Sequence, residues 1–558
     1  MRLTKTMRWT AVAATTALAV AGCSNSGSSA DGGAKASQSN NAPAKQGGTF
    51  RLGIAEPVAI DPYNTQESEG TLVTQNLFTG LTSVSADGTL SNALAESRTP
   101  NDDCSEWTFK IKGGTTFSNG DPVDAAAFVR GWTRAAGKDA ASDVAYHMGE
   151  IDGFDALQDG SATTFKGLSA PDATTLVVKL GIKDCEFDLR TFHTVFSPVP
   201  AVAGAATNKT YNDQPIGNGP FKLDGPWQHN SKITLVRNDS YGLKKANLDR
   251  VEISILNSDN AATLEYQGFQ AGQFDWARMP TPQLTAAKAT YNAKGDWLEW
   301  DANGMNYLMP ETADGPLKSK EARQAISYAI DRKAITQGVF KGFLTPASSL
   351  VPAAFKDAYQ QGVCASCVAQ DKDKAKSLAT QAGLTPGTKL YFGYNTGGGH
   401  EEWVQAVAQQ LKDVLGLDVQ IDGMPFKDLL KKEQQPGSVG MFRAAWGADY
   451  PTPGNFLNPL LATSSINEDA TTHVAQGDNR GRYSNPAFDS LLTKATGTKD
   501  LAERTKLYQQ AEKIAIGDDL ALIPLWGRHQ LRVADLGKWT NLSYDFNENP
   551  TLSTVSQK

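Results

Sequence analysis

The sequence has little of what most enzymes use to carry out chemistry. Its 558 residues include only six histidines, at positions 147, 193, 229, 400, 473 and 529, and no two have the spacing of metal ligands. The motifs G-x-S-x-G, H-E-x-x-H and G-x-x-x-x-G-K-[ST] are absent. The sequence therefore predicts no catalytic centre, no metal site and no cofactor. A secreted hydrolase with an unrecognised site is the remote alternative.

Long hydrophobic runs and an excess of positive charge are also missing. After the first 22 residues there is no stretch of 18 consecutive apolar residues, so no further segment is expected to span a membrane. Lysine and arginine number 53 against 60 aspartates and glutamates, which gives a formal charge of −7. Loss of the basic residues near the N-terminus makes the remainder more acidic. This charge argues against nucleic acid and anionic lipid as partners of the folded part.

The N-terminus has the features of a targeting segment. A basic region precedes the apolar run WTAVAATTALAV (9–20), which is too short to span a bilayer, and VAGC (20–23) follows. Small residues before a cysteine resemble a bacterial lipobox, which predicts a lipoprotein signal peptide at 1–22 and acylation of Cys23. The alternative is an ordinary signal peptide with an incidental cysteine. Residues 23–46, rich in Ser, Gly, Asn and Ala, predict a lipid-anchored flexible linker outside the cytoplasmic membrane.

Only four cysteines remain after Cys23, and an even number outside the cytoplasm suggests disulfides. Cys104 lies just before the strand-like WTFKIK (107–112), and Cys185 lies just after TLVVKL (175–180). If these strands pair antiparallel, the start of one meets the end of the other, which favours Cys104–Cys185. Elimination then leaves Cys364–Cys367. A C-x-x-C pair is also compatible with redox chemistry or half a zinc site, but no second ligand pair stands near it.

The hydrophobic pattern alternates short strands with helices along the whole chain, which indicates an α/β fold in two or three domains. In the first half, WTFKIKGGTTFSNGDPV (107–123) reads as a strand and loop, and Asp124 is placed to cap the helix that follows. In the second half, residues 389–421 read as strand, Gly-rich loop, helix and strand. The turn GGGH (397–400) is compatible with phosphate binding, although a tight connection explains it equally.

Several phrases resemble the peptide-type substrate-binding lipoproteins of ABC importers, and the resemblance runs from about residue 47 to 545. The most recognisable is WTFKIKGGTTFSNGDPVDAAAFVRGW (107–132). Six more follow in the same order: GLSAPDATTLVVKL, IGNGPFKL, EARQAISYAIDR, FKGFLTPASSLVP, RYSNPAFDSLL and ERTKLYQQAEKIAIGDDLALIPL. Seven phrases in register identify the chain as similar to this family.

The resemblance implies a two-lobed α/β fold of the periplasmic-binding-protein class II type, whose hinged lobes close on the ligand. Lobe I would comprise residues 47–258 and 521–558, with an extra domain inserted at approximately 85–205. Lobe II would comprise residues 259–520. The chain would cross between the lobes near residues 257–260 and 520–527.

The resemblance also implies a peptide site around Arg443–Tyr450, RAAWGADY. In similar proteins the aspartate, here Asp449, binds the ligand's α-ammonium, and the backbone at Ala445 and Gly447 pairs with the peptide as an added strand. The arginine and a histidine, here Arg443 and His400, receive the carboxylate at the C-terminus of ligands of different length. Gly447 and the prolines at 451 and 453 depart from the family pattern, which leaves ligand length open.

A second segment, after the family's L-D-P motif, pairs with the other edge of the ligand. Here the motif is IDP (60–62), and the equivalent backbone lies at Gln66, Glu67 and Ser68. Trp446 is expected either to wall a side-chain pocket or to select the ligand directly. The alternative to a ligand role for Arg443 is a core arginine in a salt bridge. The alternative for His400 is a residue that lies near the start of a helix without contacting the ligand.

The implied function is the capture of short peptides and their delivery to an ABC permease and its ATPase subunits, without catalysis. The protein is expected to be a monomer that is attached to the membrane only by its lipid anchor. The alternative within the family is a non-peptide ligand such as a siderophore, a metal chelate or an oligosaccharide. Members with such ligands often lack the acid after W-x-A, so Asp449 favours a peptide.

Overall fold

The strands of the structure form one large sheet and three small ones. The structure is a computed structural model, and it describes residues 45–257, 260–396, 399–437 and 440–558. The signal peptide and Cys23 lie outside the described residues. The strands are β1 (Thr49–Ala55), β2 (Thr82–Val84), β3 (Leu90–Asn92), β4 (Ala95–Pro100), β5 (Glu106–Ile111), β6 (Leu168–Asp172), β7 (Thr175–Lys179), β8 (Phe221–Leu223), β9 (Lys232–Arg237), β10 (Arg250–Leu256), β11 (Trp276–Arg278), β12 (Trp297–Pro310), β13 (Lys389–Asn395), β14 (Asp418–Met424), β15 (Met441–Gly447), β16 (Ile523–Ala534), β17 (Trp539–Thr540) and β18 (Ser556–Gln557).

Helices alternate with many of the strands along the chain, as in α/β proteins. They are α1 (Ser68–Leu77), α2 (Ala125–Ala136), α3 (Phe154–Gln158), α4 (Phe187–Arg190), α5 (Lys209–Asp213), α6 (Ala261–Gln270), α7 (Leu284–Lys294), α8 (Lys320–Ala329), α9 (Arg332–Gly338), α10 (Ala365–Val368), α11 (Lys372–Gln381), α12 (Glu401–Leu415), α13 (Phe426–Gln434), α14 (Gly454–Leu461), α15 (Pro486–Thr496) and α16 (Leu501–Glu512). Within the described ranges, no helix combines the length and the apolar character that a membrane crossing needs.

The large sheet has ten strands in the order β14-β13-β15-β12-β16-β11-β1-β10-β9-β8. Its two ends belong to different hydrophobic cores. One core contains Phe50, Trp276 and Trp300 and continues into the C-terminal segment, and the other extends from Met305 to Trp526. These cores are the two lobes of the α/β fold, and we call them lobe I and lobe II respectively.

The extra domain has its own core and its own sheet, in the order β4-β5-β7-β6. Its buried residues, which include Trp107, Trp132 and Phe187, all lie between positions 81 and 196. β5 pairs antiparallel with β7, with Glu106 opposite Lys179, as the sequence predicts. This pairing brings Cys104 to Cys185, which form a disulfide; Cys364 and Cys367 form the second.

The structure moves the lobe boundaries expected from the sequence. Residues 261–296 do not begin lobe II, because α6 packs against β1 and β10 and β11 pairs with β1 inside lobe I. Residues 521–526 belong to lobe II, where Leu522, Leu525 and Trp526 are buried in its core. The chain instead crosses within two long strands, β12 and β16, whose mutual register shifts between Asp301 and Met305. The resemblance implies crossings near residues 257–260 and 520–527. In the structure they lie inside β12 and β16, at about residues 302–304 and 527–528.

One helix start and one connection agree with the sequence pattern. Asp124 caps α2 by accepting a hydrogen bond from the backbone of Ala127 at 2.8 Å. The expected strand, loop, helix and strand of residues 389–421 are β13, α12 and β14, and β13 and β14 pair in parallel. Parallel pairing requires a crossover helix between the strands, and α12 supplies it.

Candidate ligand-binding site

A polar cavity of about 190 Å³ lies where the two lobes meet. Segments distant in the sequence line it: Gln66–Ser68 before and at the start of α1, Gly447–Asp449 at the end of β15, and Phe546–Glu548 near the C-terminus. The structure therefore brings together the two segments that the sequence assigns to the opposite edges of a ligand.

Asp449 is held at the cavity by a buried amide. Asn455 donates from Nδ2 to Oδ2 of Asp449 at 3.2 Å, and its Oδ1 accepts from the Asp449 backbone at 2.8 Å. The same Oδ1 accepts from Nε1 of Trp446 at 3.3 Å. Within the described residues no cationic side chain forms an ion pair with Asp449. Burial therefore dominates and raises the pKa of Asp449 to about 6.

The strand that carries the predicted backbone contacts has an open edge. On one side β15 pairs with β12 along its whole length, with Ala445 opposite Asn306 and Gly447 opposite Gly304. On the other side β13 pairs only with Met441 and Phe442. Beyond Phe442 this edge has no strand partner in the part of the chain that the structure describes. Unpaired backbone groups at such an edge accept an added strand.

The opposite wall is positioned by a buried ion pair. Arg134 of α2 donates through both Nη atoms to the carboxylate of Asp61, each at 2.8 Å. The motif IDP is thus fixed to the extra domain. Pro62–Asn64 then form one turn of 3-10 helix, and the backbone is extended at Thr65 and Glu67. Ser68 already belongs to α1, so the extended backbone is shorter than the sequence predicts.

The side chains of this wall have structural partners of their own. Gln66 donates to Asp143 at 2.8 Å. Glu67 caps α1 by accepting from the backbone of Gly70 at 3.0 Å, and it also accepts from Val58 at 2.8 Å. Both of these bonds use Oε1, whereas the buried Oε2 of Glu67 has no hydrogen-bond partner in the described structure.

Arg443 and His400 lie away from the cavity that contains Asp449. Arg443 donates from Nη1 to Asn395 at 3.0 Å, and its buried Nε has no hydrogen-bond partner in the described structure. It forms no ion pair with a described carboxylate. The alternative that Arg443 is a core arginine in a salt bridge is therefore wrong. His400 stands at the start of α12 and accepts from Nε1 of Trp403 at 3.1 Å. Burial, and then the charge of Arg443, lower the pKa of His400 to about 4, so its ring is neutral at pH 7.

Sequence reasoning missed Arg528, Asn303, Asn455 and the C-terminal segment 546–548. Arg528 and Asn303 line the cavity from the crossing strands β16 and β12, and Asn303 donates to the carbonyl of Phe546 at 3.0 Å. The alternation Arg528, Gln530, Arg532 was the available signal, because it places three polar side chains on one face of a strand.

Two lobes joined by two continuous strands, with a polar cleft at the crossing, define the class of two-lobed solute-binding proteins. The chain belongs to the bacterial extracellular solute-binding proteins, family 5, whose middle region matches residues 89–468.

Curated and solved relatives cover nearly the whole chain. The oligopeptide-binding protein OppA of Bacillus subtilis (strain 168) is 30% identical over 494 residues, which are 86% of this chain and 87% of that protein. The "Probable deoxycholate-binding periplasmic protein YgiS" of Escherichia coli (strain K12) is 29% identical over 482 residues, or 85% and 86% of the two chains. The unliganded open form of the murein tripeptide-binding protein MppA superposes with a TM-score of 0.75 at 26% identity, covering 92% of this chain and 97% of that one.

Proposed function

We propose that this protein captures short peptides with a free N-terminus outside the cytoplasmic membrane and delivers them to an ABC permease. Acylated Cys23 anchors it, residues 23–46 act as the tether, and the separate ATPase subunits of the importer supply the energy. The receptor itself works as a monomer and carries out no chemistry.

The observation that carries this proposal is the open edge of β15 beside Asp449. A peptide that pairs with Arg443–Gly447 through its backbone binds whatever its side chains are. Asp449, which has no cationic partner among the described residues, then supplies the counter-charge for the ligand's ammonium. A charge-assisted hydrogen bond in a dry cleft is stronger than a neutral one, and it fixes the register of the peptide.

Arg443 and His400 follow as the carboxylate-binding end for longer ligands. The buried, unpaired Nε of Arg443 supports this role, since an anion satisfies it. His400, neutral at pH 7, contributes a hydrogen bond rather than a charge.

A non-peptide ligand is the second candidate, and the relative named for deoxycholate is the observation that favours it. Native mass spectrometry of the purified protein separates the two, because it identifies the molecule that co-purifies. Calorimetry with a tripeptide library then measures affinity. Recovery of intact peptides with micromolar or tighter binding supports the proposal. Recovery of a bile acid, siderophore, metal chelate or sugar without peptide binding contradicts it, and recovery of cleaved peptides indicates a hydrolase.

A further inference from the structure

A second cavity of about 230 Å³ adjoins the one that contains Asp449. The two share Ser68, Arg528, Asn547 and Glu548 as lining residues. The second cavity extends into lobe I, between the start of α1 and strands β1, β11 and β16. A ligand anchored at Asp449 therefore lies next to it.

Three arginines line this second cavity because of strand geometry. Arg528 and Arg532 lie four positions apart on β16, so they project from the same face of the sheet. Arg278 of β11 is the direct cross-strand partner of Arg532. Like charges placed opposite each other destabilise a sheet unless anions lie between them. The cavity therefore needs negative charge.

Three glutamates, Glu69, Glu265 and Glu548, also line the cavity, but their ion pairs are with Arg278 and Arg528 and not with Arg532. Arg278 is occupied, since one Nη lies 2.5 Å from Glu265 and the other lies 3.3 Å from Glu69. Arg528 lies 3.6 Å from Glu548, a longer separation than a good ion pair has, and the same oxygen of Glu548 accepts from Gln530.

Arg532 has no ion-pair partner among the described residues. Its Nη1 donates to the carbonyl of Leu531 at 3.0 Å, and its guanidinium lies over the ring of Trp300 at 5.5 Å. A guanidinium has five N–H donors, so most of them remain available to the cavity. Burial lowers the pKa of Arg532 to about 10, as expected for a cation without a counter-ion.

Two glycines make room for Arg528 at the boundary between the cavities. Gly304 of β12 and Gly447 of β15 are cross-strand partners. A Cβ atom at Gly304 would lie 2.4 Å from Cδ of Arg528, and one at Gly447 would lie 2.7 Å from its Nη1. Gly447 is also one of the positions at which the sequence differs from the oligopeptide-binding pattern. The absence of a side chain at this position leaves room for the guanidinium of Arg528.

We propose that the second cavity is a carboxylate subsite in which Arg528 and Arg532 bind an anionic group close to the ligand's ammonium. The carboxylate comes either from an acidic side chain at the first or second residue or from the C-terminus of a dipeptide. This inference rests on the proposed function and deepens it, because it selects acidic or very short peptides from the peptides that an open strand edge accepts. The planar guanidinium matches the two oxygens of a carboxylate.

Calorimetry with matched peptides tests the subsite. Ala-Glu-Ala and Glu-Ala-Ala are compared with Ala-Gln-Ala and Gln-Ala-Ala, and Ala-Ala with its C-terminal amide. We expect the acidic member of at least one pair to bind about tenfold more tightly or better. The pair that discriminates identifies the source of the carboxylate. Arg528→Gln and Arg532→Gln should each reduce the preference, whereas Arg51→Gln should preserve it, because the exposed side chain of Arg51 pairs with Glu252 and does not line the cavity.

Failure of the subsite is distinguishable from failure of the proposed function. If tripeptides bind but no acidic peptide is preferred over its amide in the wild type, the subsite is wrong and peptide capture stands. If no peptide of either kind binds, the proposed function itself fails and the subsite falls with it. The wild-type comparison needs no variant, so a variant that does not fold leaves the test intact.

Discussion

Thr452 donates a hydrogen bond from Oγ1 to Oε1 of Glu186 over 2.5 Å, although Thr452 follows β15 in lobe II and Glu186 lies in the extra domain. Tyr508 also donates to this carboxylate, and Nε of Arg504 lies 3.2 Å from it. All three partners belong to lobe II. Because Thr452 is three residues from Asp449, the loop that carries the candidate anchor is also the loop that holds the extra domain.

Removing this contact should loosen the attachment of lobe II to the extra domain without changing ligand register. In Thr452→Val we expect small-angle scattering to show a more open average shape, and affinity for all peptides to fall by about three- to tenfold, as for loss of one ordinary hydrogen bond. Thr463→Val is the matched control, since Thr463 donates to Asp489 within lobe II at 2.6 Å. Equal effects of the two substitutions on ligand affinity would show that Glu186 plays no part in closure.

Acetylation of the ligand's N-terminus should remove the interaction with Asp449. Loss of one partner of a buried charge pair costs about 2–5 kcal/mol, so acetylated peptides should bind about thirtyfold more weakly or worse. In Asp449→Ala the free and acetylated peptides should bind with similar affinity. Isothermal titration calorimetry of the four combinations gives the coupling directly. Equal binding of free and capped peptides by the wild type contradicts the anchor.

Local pattern predicted the parts of the fold and site that depend on local contacts. The strands β5 and β7 and the α12 crossover carry recognisable sequence signals, whereas the role of Asp449 is implied by the resemblance to the family and stays a prediction. Arg528 carries only the weak signal of its alternation with Gln530 and Arg532, and Glu186 carries none, because their roles depend on partners far away in the chain. The lobe boundaries failed for a related reason. β12 and β16 run through both lobes as uninterrupted strands, so the hydrophobic pattern has no break at Asn303 or Arg528 to mark the crossing.

Substituting the two paired glycines should separate ligand effects from effects on folding. A Cβ at Gly447 meets only the flexible end of Arg528, so Gly447→Ala should fold normally and lose affinity by displacing that guanidinium. A Cβ at Gly304 would also lie 2.8 Å from the backbone oxygen of Trp446. Gly304→Ala should therefore lower the free energy of unfolding by about 1–3 kcal/mol. Thermal unfolding and calorimetry of both variants check this, and a destabilised Gly447→Ala with unchanged binding would refute it.

Peptide affinity should depend on pH through Asp449. Its pKa of about 6 in the free protein means that the carboxylate is mostly ionised at pH 7.5 and about one-tenth ionised at pH 5. Because an ammonium binds only the ionised form well, affinity should fall about tenfold as pH drops over this range. Above pH about 8 it should fall again, since the ligand's own α-amino group loses its proton.

The stability of the unliganded protein should respond to Asp449 with the opposite sign. The folded-state pKa is raised above the unfolded value of about 3.9, so the contribution of Asp449 is fully present below that value and is lost as pH rises through about 6. Asp449→Asn removes both effects but keeps Glu433 and Asp545, whose pKa values burial raises to about 7. The difference between wild-type and variant profiles of Kd and of unfolding free energy therefore isolates Asp449. A wild-type Kd that stays constant between pH 7.5 and 5 would show that this carboxylate does not meet the ligand's charge.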